Sequence, residues 1–336
     1  MMKLKYLFDN PELAHMLLKN WDYDESSADV FSSYRISANA IYPFTSKEEG
    51  CLLRFCPTSE KIRENLLAEL EFVAYLRNNH YPAVASVPSK TGEELVQRLT
   101  PWGEYFASVF KRVRGEQLSE IPLENDLLFT FGSALGQLHK LSRQYTNPAT
   151  KRWTHAEVLA WIEETLTNIS KEAAALQELV YLREKLSQLP INSENYGLVH
   201  YDFELDNVFF DQQSKSCSVI DFDDAMYHWY LMDIEQALDS LKGEVAESEF
   251  EQKKMHFLEG YKTHFAIDPK LFESRLLFRR FANLYGYTRI LRAIQERWEN
   301  EPDWLIQLRV KLNMALRNRS VHFGKTSAVQ PSVPAS

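Results

Sequence analysis

Residues 200–210 read HYDFELDNVFF, and residues 219–225 read VIDFDDA. Each segment joins a short apolar run to a loop that carries acidic or amide side chains. The first loop presents Asp202 and, five residues later, Asn207, while the second presents Asp221 at the end of an apolar strand. The pattern predicts a loop–strand–turn–strand–loop unit in which these three side chains approach one another.

The chemistry of these side chains indicates a metal site used for phosphoryl transfer. Oxygen-bearing groups on two neighbouring loops suit a hard cation such as Mg²⁺. Phosphoryl transfer needs one Asp to accept or orient the proton of the attacking hydroxyl, with an Asn and a second Asp holding the metal over the phosphates. Asp and Asn are also common in turns, so the argument depends on the whole spacing, His-x-Asp-x4-Asn followed by apolar-Asp-Phe.

These motifs resemble the aminoglycoside phosphotransferase and choline kinase superfamily, the small-molecule branch of the protein-kinase-like fold. The resemblance implies that Asp202 is the catalytic Asp and that Asn207 and Asp221 are Mg²⁺ ligands. It also implies that His200 braces the loop. Tyr201 stands where a small residue, often Gly, is usual in this family. The implied fold is α+β and has two lobes, a small antiparallel-sheet N-lobe and a mainly helical C-lobe.

The order of predicted elements favours the same architecture. Strand-like segments at 30–44 and 51–56 flank a turn-type cluster, and a helix is expected from Ser59, a candidate N-cap, to Asn79. Helical periodicity dominates after residue 124. The predicted regions are an N-lobe over 1–112, a C-lobe over 113–322 and a disordered tail over 323–336.

The N-lobe offers candidates for binding the nucleotide, ATP or GTP, that the resemblance implies. Arg54 in the strand CLLRF would reach the α- and β-phosphates, and Glu69 on the following helix would pair with it. An exposed edge-strand charge and a solvated helix face are the alternative interpretations of these two residues. Residues 109–113 resemble the hinge of the family, where the backbone around Phe110 and Arg112 would meet the adenine.

The sequence leaves the phosphate acceptor open. No Ala-Pro-Glu motif follows Asp221, so a small molecule is favoured over a peptide. The resemblance implies an amino-alcohol, an amino acid, a sugar or an aminoglycoside. Many of these are cationic, and nearby carboxylates could hold an ammonium group, unless they only support the metal or face solvent. The candidate carboxylates are Glu204, Asp206, Asp223 and Asp224.

Two other functions remain open from the sequence. One is a protein Ser/Thr kinase on the same scaffold, and the other is a non-catalytic binding protein that keeps the kinase fold. The presence together of Asp202, Asn207 and Asp221 argues against the second, because a binding protein has no chemical need for all three.

Two cysteines and two glycines are interpreted as packing residues. Cys51 and Cys56 are an odd number of positions apart on one strand, so they are expected on opposite faces. Gly132 and Gly136 form a G-x-x-x-G on a predicted helix, where close helix packing is expected.

Composition limits the partners. The 336 residues carry 38 Lys+Arg and 47 Asp+Glu, a net charge of −9, which argues against a nucleic-acid partner. No apolar run reaches the roughly 18 residues of a membrane span, and no signal peptide is recognised, so a cytoplasmic protein is expected. Three cysteines, an odd count, do not indicate a disulfide framework. The sequence carries no signal for an oligomeric state.

Overall fold

The computed structural model of the chain describes residues 1–24, 35–146, 148–169 and 172–325. The helices are α1 (Pro11–Leu18), α2 (Arg63–Asn78), α3 (Asn125–Gln144), α4 (His155–Thr167), α5 (Ala173–Ser187), α6 (Leu231–Glu244), α7 (Glu247–Lys262), α8 (Arg275–Ala293) and α9 (Asp303–Ser320). The strands are β1 (Arg35–Ile36), β2 (Ala40–Ser46), β3 (Glu49–Pro57), β4 (Ala85–Val87), β5 (Val96–Thr100), β6 (Gly103–Lys111), β7 (Glu116–Gln117), β8 (Tyr196–Val199), β9 (Val208–Asp211), β10 (Ser216–Val219) and β11 (Met226–Trp229). Short 3-10 helices lie at Leu4–Tyr6, Leu118–Glu120, Leu205–Asn207, Phe222–Asp224 and Pro269–Ser274.

The N-terminal lobe is built on an antiparallel sheet of order β1-β2-β3-β6-β4, with β5 also pairing to β6. Alternate residues of β3 face opposite sides. Cys51 packs into the cluster around α1, whereas Cys56 packs into the larger core that includes α2. Arg54 points to the α2 side as well, because its guanidinium meets Glu69 on that helix. The two cysteines therefore lie on opposite faces, as predicted.

The C-terminal lobe is mainly helical, and its small strands carry the two predicted loops. Strand β8 pairs antiparallel with β11, and β9 pairs antiparallel with β10. The chain leaves β8 into the loop of Asp202 and leaves β10 into the loop of Asp221. The two-lobe α+β fold is therefore confirmed. None of the helices in the described part of the chain is long and apolar enough to cross a membrane.

Helices α3 and α7 approach closely at glycines. A Cβ on Gly132 would lie 1.8 Å from the carbonyl oxygen of Phe257, and one on Gly136 would lie 2.3 Å from that of Tyr261. The expectation of close packing at this G-x-x-x-G is therefore confirmed. The approach also brings the Tyr261 hydroxyl to 2.9 Å from Nδ1 of His139 on α3, and His139 in turn supports the loop of Asp202.

Helix α2 begins at Arg63, so the prediction that Ser59 caps it is wrong. Its N-cap is Ile62, which makes no side-chain capping bond. The preceding residues form a turn whose side chains reach the other lobe, because Glu60 pairs with Arg292 and Lys61 pairs with an Asp of the second loop. Tertiary ion pairs outweigh the local capping preference here.

The structure describes the beginning of the predicted disordered tail, residues 323–325, but not the rest of it. Residues 326–336 lie outside the described residues. Phe323 packs its ring 5.0 Å from that of Tyr287, and the Gly324 N–H donates to Glu178 at 2.9 Å. The first part of the predicted strand over 30–44, residues 30–34, also lies outside the described residues.

Gly132→Ala should lower the free energy of unfolding by at least about 1–3 kcal/mol, because the methyl group overlaps a main-chain carbonyl. Gly243→Ala on α6 is the control, since no atom lies within 4 Å of the added Cβ. This control should be neutral or up to about 1 kcal/mol more stable, as expected for Ala in a helix. Urea denaturation measures both, and equal stabilities would contradict the close approach of α3 and α7.

Candidate active site

Asp202, Asn207 and Asp221 converge where the two loops meet. The side-chain N–H groups of Asn207 donate to the main-chain oxygen of Asp202 at 3.0 Å and to its Oδ2 at 2.9 Å. The Ile220 N–H donates to the main-chain oxygen of Asn207 at 3.0 Å and so ties the second loop to the first. Since the amide nitrogen of Asn207 is committed to Asp202, its amide oxygen is left for a cation.

A buried carboxylate on α6 supports the Asp202 loop. Asp233 accepts hydrogen bonds from the main-chain N–H groups of His200 at 2.8 Å and Tyr201 at 2.7 Å. It also accepts one from Nε2 of His139 at 3.0 Å. These bonds fix the direction in which the chain enters the loop.

His200 connects the two loops. The Asp202 N–H donates to Nδ1 of His200 at 3.2 Å, so the ring proton lies on Nε2, which donates to the carbonyl of Ile220 at 2.9 Å. Burial lowers the pKa of His200, in agreement with a neutral ring. The bracing role that the resemblance implied for His200 matches this geometry.

Two residues of the site hold left-handed backbone conformations that favour glycine. Tyr201 has φ 68° and Asp221 has φ 60°. The first value explains why a small residue is usual at the position of Tyr201. Its ring is buried against Phe281 and Tyr285, with centroids 6.3 Å and 5.5 Å away. Such conformations cost about 1–2 kcal/mol each, and clusters of them are typical of functional sites.

The carboxylates of the two loops have an excess of negative charge. Burial and the neighbouring Glu204 raise the pKa of Asp202 well above its usual range. Burial and Asp223 raise the pKa of Asp221 to about 6. A divalent cation between these groups would compensate this charge. Mg²⁺ is bound by one or two carboxylates plus substrate phosphate oxygens, a ligand set to which Asp221 and the amide oxygen of Asn207 would contribute.

Arg54 and Glu69 form a bidentate ion pair inside the N-lobe. The two hydrogen bonds are 2.7 Å and 2.8 Å long, and both side chains are buried. Although burial opposes it, Glu69 raises the pKa of Arg54 further, and Asp223 and Asp221 add to this effect. Arg54 is therefore not an exposed edge-strand charge, and Glu69 is not on a solvated face. The guanidinium faces the loop of Asp221 across the cleft.

The two hinge candidates lie in different surroundings. The ring of Phe110 is buried, with its centroid 4.6 Å from the Arg54 guanidinium carbon. Arg112 is exposed, and its N–H donates to the carbonyl of Gly50 at 2.9 Å at the end of the β3–β6 pairing. Phe110 thus lies beside the Arg54–Glu69 pair, whereas Arg112 marks the end of the sheet.

Asp223 and Asp224 already have cationic partners. Asp223 pairs with Lys61 and accepts a hydrogen bond from Asn39 at 3.1 Å. Asp224 pairs with Arg289 at 2.5 Å. Burial opposes the effect, but Lys61 and Arg289 lower the pKa values of Asp223 and Asp224 respectively.

Glu204 and Asp206 lie on the other side of the Asp202 loop, toward α6. Burial, Asp206 and Asp239 raise the pKa of Glu204 to about 7. The main-chain carbonyl of Asp206 accepts a hydrogen bond from Gln117 at 2.6 Å. The four candidate carboxylates therefore form two separate pairs.

Arg152 joins α2 to the loop 221–225 that would hold a metal, the metal loop. The sequence analysis did not identify this residue. Its guanidinium donates to the carbonyl of Asn65 on α2 at 2.7 Å and to the carbonyls of Asp223 and Ala225. A lone arginine in a predicted loop gives no signal of this role. Asp233 was also missed, but it did give a signal, because it is a single carboxylate within the otherwise apolar and aromatic run 229–234.

Comparison with known proteins places this geometry in a family. Residues 38–266, more than half of the chain, match the model of the phosphotransferase enzyme family. Amicoumacin kinase of Bacillus subtilis (strain 168) is 25% identical over 247 residues, which cover 69% of this chain and 70% of that protein.

Two solved structures share the fold over nearly the whole chain. An amicoumacin kinase in complex with AMP-PNP, Ca²⁺ and Ami superposes with a TM-score of 0.74 at 22% identity, covering 94% of this chain and 95% of the other. A microcompartment-associated aminopropanol kinase gives a TM-score of 0.65 at 19% identity, covering 96% and 100%. Because the family model spans both the N-lobe sheet and the two loops of the site, the chain belongs to the phosphotransferase enzyme family.

Proposed function

We propose that the protein is an ATP- and Mg²⁺-dependent kinase that transfers the γ-phosphate to a hydroxyl of a small molecule. The observation that carries this proposal is the buried Arg54–Glu69 pair facing the cluster of Asp202, Asn207 and Asp221. Relatives support it, because two similar proteins are named as kinases of amicoumacin and aminopropanol. One similar structure holds AMP-PNP and Ca²⁺, which favours ATP over GTP.

In this proposal each residue has a distinct task. Arg54, oriented by Glu69, holds the α- and β-phosphates through its fork of N–H donors. Asp221 and the amide oxygen of Asn207 hold Mg²⁺, which when bound neutralises charge on the phosphates. Asp202 orients the acceptor hydroxyl and takes its proton as the new O–P bond forms and the bond to the β-phosphate oxygen breaks. Because the transition state is loose, orientation matters more than base strength.

A small acceptor is favoured over a protein substrate. The chain passes from Asp221 through the short helix Phe222–Asp224 and strand β11 directly into α6. This path leaves no extended segment on which a peptide could dock. The acceptor classes remain amino-alcohols, amino acids, sugars and aminoglycosides. A non-catalytic binding role is disfavoured, since the arrangement keeps every group that transfer needs.

The protein is proposed to act in the cytoplasm and without nucleic acid. Cys51, Cys56 and Cys217 are free and buried, as is usual for proteins of a reducing compartment. The net charge of −9 is unfavourable for nucleic-acid binding.

Asp221→Ala should abolish turnover and Mg²⁺-dependent nucleotide binding while leaving the fold intact. The fold should survive because removing one of several mutually repelling buried carboxylates relieves charge. Calorimetric titration of ATP with and without Mg²⁺, together with thermal unfolding, measures both effects. Asp211→Ala at the far end of the β9–β10 hairpin is the control and should keep normal binding. Normal turnover by Asp221→Ala would show that the metal assignment is wrong.

Arg54→Gln should raise the KM for ATP or lower kcat at least tenfold, because a charge-assisted hydrogen bond to phosphate is worth about 1.5–3 kcal/mol. The change also leaves Glu69 buried without a partner, which costs about 3–5 kcal/mol of stability. Arg280→Gln is the matched control, since it breaks the buried Arg280–Glu178 pair far from the cleft. It should lose comparable stability and keep normal kinetics, while Arg54→Lys should recover part of the activity. Equal kinetics for Arg54→Gln and Arg280→Gln would remove Arg54 from the nucleotide site.

Asp202→Asn should separate catalysis from binding. It keeps the shape of the side chain, so MgATP affinity should stay within a few fold of wild type. Transfer should fall by about 10²–10⁴, the range expected for a positioned general base. The test combines nucleotide titration with turnover on an acceptor found by screening hydroxyl metabolites for ATP consumption. Equal losses of binding and turnover would instead assign Asp202 to the metal or to the fold.

A further inference from the structure

A cavity of about 380 Å³ opens beside the loop of Asp223 and Asp224, within the usual range of about 300–1,000 Å³ for small-molecule sites. Its walls come from the turn before α2, the metal loop, and helices α4 and α8. Two wall residues connect the cavity to the loops of the site: the ring of Tyr285 packs 5.5 Å from that of Tyr201, the residue before Asp202, and Asp224 lies three residues after Asp221. If the protein is the kinase proposed above, the acceptor lies in this cavity.

The carboxylates that line this cavity are all committed to cations of the same wall. Each of the three makes an ion pair within the chain, and the side chains of Glu60 and Asp223 are buried. The pairs are Glu60–Arg292, Asp223–Lys61 and Asp224–Arg289. An ammonium group that entered the cavity would therefore meet carboxylates whose negative charge is already compensated by cations of the chain.

The wall also carries one positive charge without a carboxylate partner. Arg152 lines the cavity, and its guanidinium is bound by main-chain carbonyls of Asn65, Asp223 and Ala225. The described wall thus carries three carboxylates and four cationic side chains, which are Lys61, Arg152, Arg289 and Arg292.

Arg289 has hydrogen-bond donors to spare. A guanidinium has five N–H groups, and among the described residues that of Arg289 donates one hydrogen bond, to Asp224. Its side chain is 23% exposed, so the remaining donors can reach a bound molecule. Lys61 likewise donates to Asp223 with one of its three N–H groups. The polar part of the wall therefore offers donors to oxygen atoms.

The rest of the wall includes flat apolar surfaces. Trp153 and Trp161 are partly exposed and line the cavity together with Tyr285. The rings of Trp161 and Tyr285 meet edge to face with centroids 5.8 Å apart. Such rings favour a planar or apolar body in the ligand.

We propose that the acceptor is a hydroxyl compound with a planar apolar body and a carbonyl oxygen near the hydroxyl, and that multiply charged amines are poor acceptors. The carbonyl belongs to a carboxylate or an amide and takes donors from Arg289 and Lys61. The apolar body lies against Trp153 and Trp161. The proposal rests on the kinase function and reverses the expectation that Asp223 and Asp224 hold an ammonium group, because Lys61 and Arg289 already neutralise them.

The test uses acceptors that share a phenyl ring and a hydroxyl and carry different second polar groups. These are 3-phenyllactate, its amide 3-phenyllactamide and the amino-alcohol phenylalaninol, with kanamycin as a polycation. ADP release at saturating MgATP gives kcat/KM for each with the wild-type protein. The carboxylate or the amide should exceed both phenylalaninol and kanamycin at least tenfold, and their ratio tells which carbonyl group is preferred. Equal or better use of phenylalaninol or kanamycin overturns the proposal.

Arg289→Gln tests the wall directly. It frees Asp224 and removes a donor group, so the ratio of kcat/KM for the preferred carbonyl compound, 3-phenyllactate or its amide, over phenylalaninol should fall at least tenfold. Because both substrates are measured on one variant, a loss of folded protein cancels in the ratio. Arg280→Gln on the same helix is the matched control and should leave the ratio unchanged. A ratio that is unchanged in Arg289→Gln overturns the proposal.

These outcomes are distinct from failure of the kinase function itself. Efficient phosphorylation of kanamycin leaves the kinase function standing and overturns the acceptor class. MgATP binding without ADP release on any hydroxyl compound of any charge overturns both.

Discussion

The loop that carries Asp202 depends on one buried carboxylate. Asp233 accepts hydrogen bonds from two consecutive main-chain N–H groups, those of His200 and Tyr201, and from His139. Two adjacent N–H groups can meet one carboxylate only where the chain turns sharply, and Tyr201 accordingly has φ 68°. Hydrogen bonds to a charged group are worth about 1.5–3 kcal/mol each, enough to offset about 1–2 kcal/mol of backbone strain. The direction of Asp202 follows from this turn.

A second constraint couples the two lobes. The Arg152 guanidinium binds the Asn65 carbonyl of α2 and the Asp223 carbonyl of the metal loop. Helix α2 also carries Glu69, which orients Arg54. Helix α2, which orients Arg54 toward the phosphates, and the loop that would hold the metal are therefore both bonded to Arg152, so the two parts of the site move together.

The sequence predicted site residues that lie within short motifs, and it missed ion pairs between residues that are far apart along the chain. Asp202, Asn207 and Asp221 lie on one short unit, and their spacing indicated their chemistry. The Arg54–Glu69 pair was implied by the family resemblance and is present in the structure. The start of α2 was misplaced, because Glu60 and Lys61 have partners 232 and 162 residues away. Local capping preferences carry no information about such pairs. Arg289 stayed hidden for the same reason, since its partner is determined only when α8 packs against the metal loop.

These distant cations decide which carboxylates are available to a metal. The two loops bring Asp202, Asp221, Asp223 and Asp224 together, and the sequence alone does not show which of these carboxylates have cationic partners. Lys61 and Arg289 lower the pKa values of Asp223 and Asp224, whereas burial without such a partner raises those of Asp202 and Asp221. Asp223 and Asp224 have ion-pair partners within the chain, and a bound cation would compensate the charge of Asp202 and Asp221. The pairing that would leave Asp221 for a cation also compensates negative charge along the adjoining cavity, so the proposed metal site and the proposed acceptor preference would have one physical origin.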